Sequence, residues 1–312
     1  MNREIDPAIR VASRSARIAT LRRLLDDVLR VEPQGADQFL APQTSDIFDR
    51  VYGGQMLAQA LMAAAATVSP ERSLHSAHCY FLRLGDPSTS IRYRVERLRD
   101  TRTFSNRLVR AEQDGACLMV VTLSFSAPSK GFAHQWPMPE APPPEACASR
   151  DDLLLAQHQG NPPENSGVPW PIDIRYVDHR PWDEDASEGR NRIWMRAETP
   201  LPDDPTLHAC LLLYGSDLTM AEPIIGRHPI RWEDLIAARG FFGASLDHSF
   251  WLHAPVRCDD WILHVQESSR AANGRGFATG RFYSRDGVLV ASVAQEIFIK
   301  STGGETPDGK GA

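Results

Sequence analysis

The sequence predicts an α+β fold in which one unit, a long helix wrapped by a curved antiparallel sheet, occurs twice. Three observations predict it. The chain has 312 residues, room for two domains of about 150 residues or one large one. Its halves carry matching segments in the same order, the mark of an internal duplication. Its most apolar stretch, residues 56–68, is Ala-rich and apolar almost all round. A helix of that kind is buried on most faces, and a sheet curved around it provides the cover.

Taken in chain order, residues 1–34 read as an extension ending in an amphipathic surface helix. Ile18, Leu21, Leu24, Leu25, Val28 and Leu29 recur at helical spacing. Asp26 and Asp27 dilute its basic charge, which argues for packing on the core or a partner rather than for a membrane anchor. The first unit is assigned to residues 35–127 and the second to 172–300. Tyr52-Gly53-Gly54-Gln55 matches Tyr214-Gly215-Ser216-Asp217 at a shift of 162 residues, each read as a turn inside an apolar helix. The strand-like runs at 78–82 and 248–252 match at a shift of 170. Two hairpins, 102–110 with 116–125 and 275–283 with 288–299, match around Asp114-Gly115 and Asp286-Gly287, a shift of 172. Asp-Gly between β-type runs signals a hairpin because both residues tolerate positive φ. Between the units, ten of the 23 prolines fall within residues 128–171. Proline removes a backbone donor and fixes φ, so this stretch reads as a linker with one short helix at 151–157. Residues 301–312 read as a flexible tail. Two such units with their sheets joined make a double hotdog.

Composition narrows the chemistry. A net charge of −6 with both signs interspersed speaks against nucleic acid and anionic membranes as partners. The five cysteines are odd in number, scattered, and never spaced C-x-x-C, so reduced thiols of a cytoplasmic protein are expected rather than disulfides or a zinc site. No Walker A loop, dinucleotide fingerprint, H-E-x-x-H or G-x-S-x-G elbow occurs.

Asp217 is the outstanding position. It lies beside the apolar helical stripe Leu211, Tyr214, Leu218, where a carboxylate must pair, stay wet or shift its pKa. The match at shift 162 sets Gln55 opposite it, an amide that cannot act as a base. Ser245, at a strand entry, and Gln295, on the last β-rich run, are its natural companions. A hydroxyl, a carboxylate and an amide from three elements can hold one water between them. Each also has an ordinary structural reading as a cap, turn or strand residue. Two further patterns are weighed. Asp203 and His208 stand five apart, reminiscent of a hotdog hydratase box, but Asp204-Pro205 reads more simply as a helix N-cap with Pro at N1. Asn273-Gly274-Arg275-Gly276 could approach a phosphate, yet reads more simply as a turn.

Taken together, the segments at 51–55, 75–82, 131–135, 213–218, 245–249 and 286–296 resemble the acyl-CoA thioesterase II family, in family order from about Phe39 to Ile299. The resemblance implies hydrolysis of fatty acyl-CoA to free fatty acid and CoA without metal or cofactor. Its catalytic Asp and Gln fall on Asp217 and Gln295. Its hydroxyl residue, often Thr, falls on Ser245, which keeps the hydroxyl and loses the methyl that stiffens χ1. Gly54, Gln55, His78, His248 and Arg275 are the expected substrate contacts. A homodimer or homotetramer is expected, and the C-terminus lacks a Ser-Lys-Leu ending. The rival expectations are enoyl-CoA hydration by Asp203 and His208, and acyl-CoA binding without catalysis.

Overall fold

The computed structural model describes residues 7–42, 50–158, 169–178, 180, 188–228 and 241–301. In the first unit, β2 (Gln38–Ala41) leads to helix α2 (Gly53–Ala65), followed by β3 (Ser73–Phe81), β4 (Ile91–Asp100), β5 (Phe104–Gln113) and β6 (Ala116–Ser126). The second unit repeats the plan with β8 (Arg190–Arg196), α4 (Pro205–Ser216), β10 (Asp247–Leu252), β11 (Ile262–Ala272), β12 (Arg275–Ser284) and β13 (Leu289–Ser301). Short elements complete it: β1 (Glu32–Pro33), β7 (Asp173–Tyr176), α5 (Glu222–Ile225) and β9 (Phe241–Ser245). Among the described residues the strands form one antiparallel sheet in the order β1-β2-β4-β5-β6-β3-β10-β13-β12-β11-β8-β7, with β9 also paired to β13. This is the double hotdog, and β3 and β10 are the seam that makes two sheets one.

The seam carries an internal symmetry. His78 pairs with Ser249, Ala77 with Phe250 and Cys79 with His248. Across β6 and β13, Ala77 lies opposite Leu123 and Ser249 opposite Ala294. Strand β3 therefore maps on β10 with a shift of 171, and β6 on β13 with 172. The shift of 170 read from the two histidines is one residue short. With side chains alternating between faces, a one-residue slip moves every side chain to the other face. His78 corresponds to Ser249, and His248 corresponds to Ala77.

The 162-residue match fails for a different reason. Tyr52 is the N-cap of α2, whereas Tyr214 lies in the last turn of α4 and Asp217 is its C-cap. The two segments are opposite ends of their helices, and they touch. The Tyr52 hydroxyl donates to Tyr214 O at 2.7 Å, and the two rings meet edge to face at 5.0 Å.

The hairpins form as expected. Asp114 and Gly115 both have positive φ, as do Asn273 and Gly274, which turn β11 into β12. At Asp286-Gly287 only the glycine does. Asp204 caps α4 by accepting from the amides of Thr206 and Leu207, with Pro205 at the first helical position.

Helix α1 (Pro7–Arg23) continues through a π-helical turn at Leu24–Val28 and buries Leu21, Leu24, Val28 and Leu29. The first part of the proline-rich stretch is pinned to the second unit. The Gln135 side chain joins Gly287 O and the Leu289 amide, the Trp194 indole donates to Pro142 O, and Arg175 donates to Pro144 O. The expected helix appears as α3 (Arg150–Gln157). Residues 159–168 of that stretch, and all of the expected tail after Ser301, lie outside the described residues. One ionic cluster ties these additions to the second unit. The buried Arg17 donates to Glu198 at 2.9 Å and stands 3.7 Å from both Asp151 and Asp152. Removing one partner of a buried cluster strands the others without compensation, at a cost of about 3–5 kcal/mol. Arg17→Met is expected to lower the thermal midpoint by several degrees, measured by circular dichroism, while Arg22→Met, at an exposed position on the same helix outside this cluster, changes it little.

Candidate active site

The site forms where the C-terminal end of α4 meets the N-terminal end of α2. Helices α2 and α4 pack against each other, and the first turn of any helix presents amides with no intrahelical partner. The Gly54 amide donates to Asp217 Oδ2 at 2.9 Å. Two glycines permit this approach. A Cβ on Gly54 would sit 2.5 Å from Tyr214 O, and one on Gly53 would sit 2.8 Å from Asp217 Oδ2 and 2.9 Å from the Phe81 ring.

The other carboxylate oxygen faces the sheet. Gln295 Nε2 donates to Asp217 Oδ1 at 2.8 Å and to Ser245 Oγ at 2.6 Å. Ser245 Oγ stands 3.5 Å from Asp217 Oδ1. Ser245 is placed by the kink between β9 and β10, where both strands pair with β13 and Ser245 lies opposite Ile297. Gln295 is buried, while Asp217 and Ser245 keep partial exposure. The two groups that could act on a ligand are thus accessible, and the group that orients them is enclosed.

Burial pushes the Asp217 carboxyl up to about 6, against the hydrogen bonds from Gln295, Gly54 and Ser245 and the charge of Arg50. Asp217 also sits at the negative end of its own helix, which disfavours its charge. The positive end of α2 compensates. Arg50, the nearby cation, donates to Gly243 O at 3.1 Å.

The remaining expected contacts divide. Gly54 is in the site. Gln55 is fully buried in the first turn of α2. His248 is buried behind Gln295, with Nδ1 2.6 Å from its Oε1. His78 and Arg275 stand on the outer face of the sheet, the first beside Ser249 and Trp251 and the second paired with Glu296 at 3.0 Å. Their partners set them apart from Asp217, Ser245 and Gln295. The hydratase pair does not assemble. Asp203 is exposed and pairs with Arg257 at 2.7 Å, whereas His208 is buried and accepts from the Cys258 amide. Among the described residues no cluster of His, Cys, Asp and Glu could hold a metal, and all five cysteines are free.

Comparison with known proteins bears on what this arrangement serves. The acyl-CoA thioesterase profile matches residues 167–298, and the profile of the acyl-CoA thioesterase N-terminal domain matches residues 40–126. Human acyl-coenzyme A thioesterase 8 is 35% identical over 290 residues, covering 89% of each chain. The chain belongs to the acyl-CoA thioesterase family. Membership makes it a thioester hydrolase. Acyl-CoA thioesterase 2 of Haemophilus influenzae is 36% identical over 258 residues, 81% of this chain and 88% of that one. The solved structure of the acyl-CoA thioesterase II TesB2 from Mycobacterium marinum superposes with a TM-score of 0.72 at 32% identity, covering 90% of this chain and all of that one.

Within this thioesterase the two units are not equally equipped. The strand shifts of 171 and 172 set Leu74 in the place of Ser245, Leu123 in that of Gln295 and Ala77 in that of His248. Ala278, opposite Gln295, is replaced by Arg107, opposite Leu123. Arg107 is buried, donates to Thr67 O in the turn after α2 at 3.0 Å and pairs with Asp100 at 2.9 Å. A cation seals the end of one helix where the other ends in a carboxylate. Among its described residues the first unit has no equivalent polar constellation. Gly54→Ala is expected to push the helix ends apart at a cost of about 1–3 kcal/mol, read as a lowered melting temperature together with a loss of thioester turnover.

Proposed function

We propose that the chain hydrolyses fatty acyl-CoA to free fatty acid and CoA, with Asp217 as general base on a water that attacks the thioester carbonyl. The convergence of Asp217, Ser245 and Gln295 on one accessible point carries this reading. Gln295 holds the carboxylate by one amide proton and the hydroxyl by the other. Its two donors thereby fix the separation of the groups that would grip the water. Asp217 Oδ1 would accept the water proton as the water oxygen bonds to the carbonyl carbon. The carbonyl oxygen then carries the negative charge, opposite the amide-rich start of α2.

Collapse of that intermediate breaks the carbon–sulfur bond and releases the CoA thiolate. An ordinary thiol has a pKa near ~8.5, above the value of about 6 at Asp217. Passing the captured proton from Asp217 to the departing thiolate is therefore downhill, and it returns the base to its working form. No acyl-enzyme is required. The rim supports the substrate class. The Phe81 ring lies beside Gly53, Leu82 and Leu84 follow it in the chain and are exposed, and Arg50 supplies positive charge near Asp217. The free cysteines support a reducing, cytoplasmic setting.

The test is release of free thiol from a panel of saturated acyl-CoA substrates, read with a thiol-reactive dye. Asp217→Asn is expected to lower kcat by about 10²–10⁴-fold, the usual contribution of a positioned base, with the fold retained. Near-normal turnover in that variant would overturn the assignment. The pH profile follows from the same group. The base works only when deprotonated, and its pKa is about 6. Log kcat/KM is expected to rise with unit slope below about pH 6 and to level off above it. A profile flat down to pH 5 excludes Asp217 as the base.

A further inference from the structure

Behind the carboxylate, amide and hydroxyl lies a second layer that the proposed reaction does not use directly. His248 on β10 is buried between Gln295 and Ser216, which are buried as well. Its Nδ1 stands 2.6 Å from Gln295 Oε1, and its Nε2 stands 2.9 Å from Ser216 Oγ. Ser216 Oγ is also 2.8 Å from Leu213 O. The imidazole thus bridges the residue beside Asp217 in the chain and the amide that holds Asp217 in space.

We infer that His248 is a positioning residue: its Nδ1–H locks the Gln295 amide in the orientation that points both amide protons at Asp217 and Ser245. This inference rests on the proposed role of Asp217 and extends it. The reasoning is an accounting of protons. The Gln295 nitrogen has two, and both are committed, at 2.8 Å to Asp217 Oδ1 and at 2.6 Å to Ser245 Oγ. Its oxygen must then accept, and the group facing it is His248 Nδ1. Were the amide turned over, its oxygen would face Asp217 Oδ1, and two acceptors would oppose each other across a hydrogen-bond distance.

The histidine tautomer decides which of these occurs. With the proton on Nδ1, the lone pair on Nε2 accepts the Ser216 hydroxyl proton and every member of the chain is matched. With the proton on Nε2, Nδ1 becomes an acceptor, the Ser216 proton turns to Leu213 O, and Gln295 is driven to flip. Burial holds the ring neutral, lowering its pKa to about 4, so two neutral tautomers are the states in competition. The titratable groups around it are Asp217 at the end of α4, held by the same glutamine, His264 on β11, Cys79 opposite it on β3 and Asp247 beside it in the chain. His264 is itself held neutral by burial, so Asp217 is the group through which a change at His248 is read.

The sequence offered no hint of this division of labour. His248 and His78 look alike as strand histidines, but only His248 faces the helices. In the first unit its place is taken by Ala77, and the place of Gln295 by Leu123. The histidine and the glutamine it orients are present together in one unit and absent together from the other.

The test compares His248→Asn, His248→Gln and His248→Leu with wild type, using decanoyl-CoA and a thiol-reactive dye across pH 5 to 9, with Asp217→Asn and Gln295→Ala in the same series. Asn sets an amide N–H near the place of Nδ1, whereas Gln sets its polar end near the place of Nε2. Expected are a drop in kcat of about 10–100-fold for Leu and Gln, the scale of a lost hydrogen bond to a charged group, and a loss below about 5-fold for Asn. KM should change little. The acid limb of the pH profile should move up by about one pH unit in the Leu and Gln variants, because Asp217 loses a donor that favours its charged form. A purely structural role would lower the folded fraction without moving that limb. If Leu fails to fold, the Asn and Gln pair still decides the matter. Equal kcat and an unmoved limb in both overturn the role of His248 while Asp217→Asn remains inactive. Retained turnover in Asp217→Asn overturns the catalytic reading itself and the positioning role with it.

Discussion

Helices α2 and α4 pack against each other, and at Gly54 the start of one backbone closes on the end of the other. That contact sets the rest of the site. A Cβ at Gly54 would press on the Tyr214 carbonyl at 2.5 Å, so the approach of one backbone to the other depends on the missing carbon. Because the helices come this close, the Gly54 amide reaches Asp217 and the Tyr52 hydroxyl reaches the carbonyl three residues earlier. A carboxylate at the C-terminal end of its own helix is badly placed electrostatically. The amide at the start of the second helix favours its charge, but burial outweighs that bond and those from Gln295 and Ser245, and the carboxyl rises to about 6. The fold thereby holds a carboxylate that is charged at neutral pH and gains a proton just below it.

The duplicated architecture shows how one plan yields one working centre. The corresponding end of α2 is closed by Arg107, a buried cation bonded to Thr67 O and Asp100. A cation at a helix C-terminus is favourable. The first unit thus ends its helix on a favourable charge, and the second ends its helix on an unfavourable one. Strand positions follow the same division, with Leu74, Ala77 and Leu123 in one unit at the positions that Ser245, His248 and Gln295 hold in the other. The unit without the polar groups still contributes, because its helix start supplies the amide at Gly54. The site belongs to the junction of the units, and neither unit holds it alone.

Much of this was legible in the residues. The Ala-rich helix, the Asp-Gly hairpins, the Asp204-Pro205 cap and the short helix before Gln157 all appear where the pattern puts them, because each is set by local steric and hydrogen-bonding preferences. Asp217, Ser245 and Gln295 were picked out as separate candidates by their chemistry and by family resemblance. Residue type alone is a poor guide to which segments correspond. Tyr-Gly at 52 and Tyr-Gly at 214 look like copies and are contacting opposites. The two strand histidines look equivalent and differ by one residue in register, which sends His78 to the outer face.

The sequence by itself therefore determined the elements, their order and the duplication, since those depend on propensities and periods spread over many residues. Tertiary structure alone decided which helix end faces which, which face of the sheet a histidine occupies, and which neighbour orients the Gln295 amide. Those are relations between residues far apart in the chain. A sheet register shifted by one residue, or a helix matched at the wrong end, leaves composition and local pattern nearly unchanged while reversing what each side chain can touch.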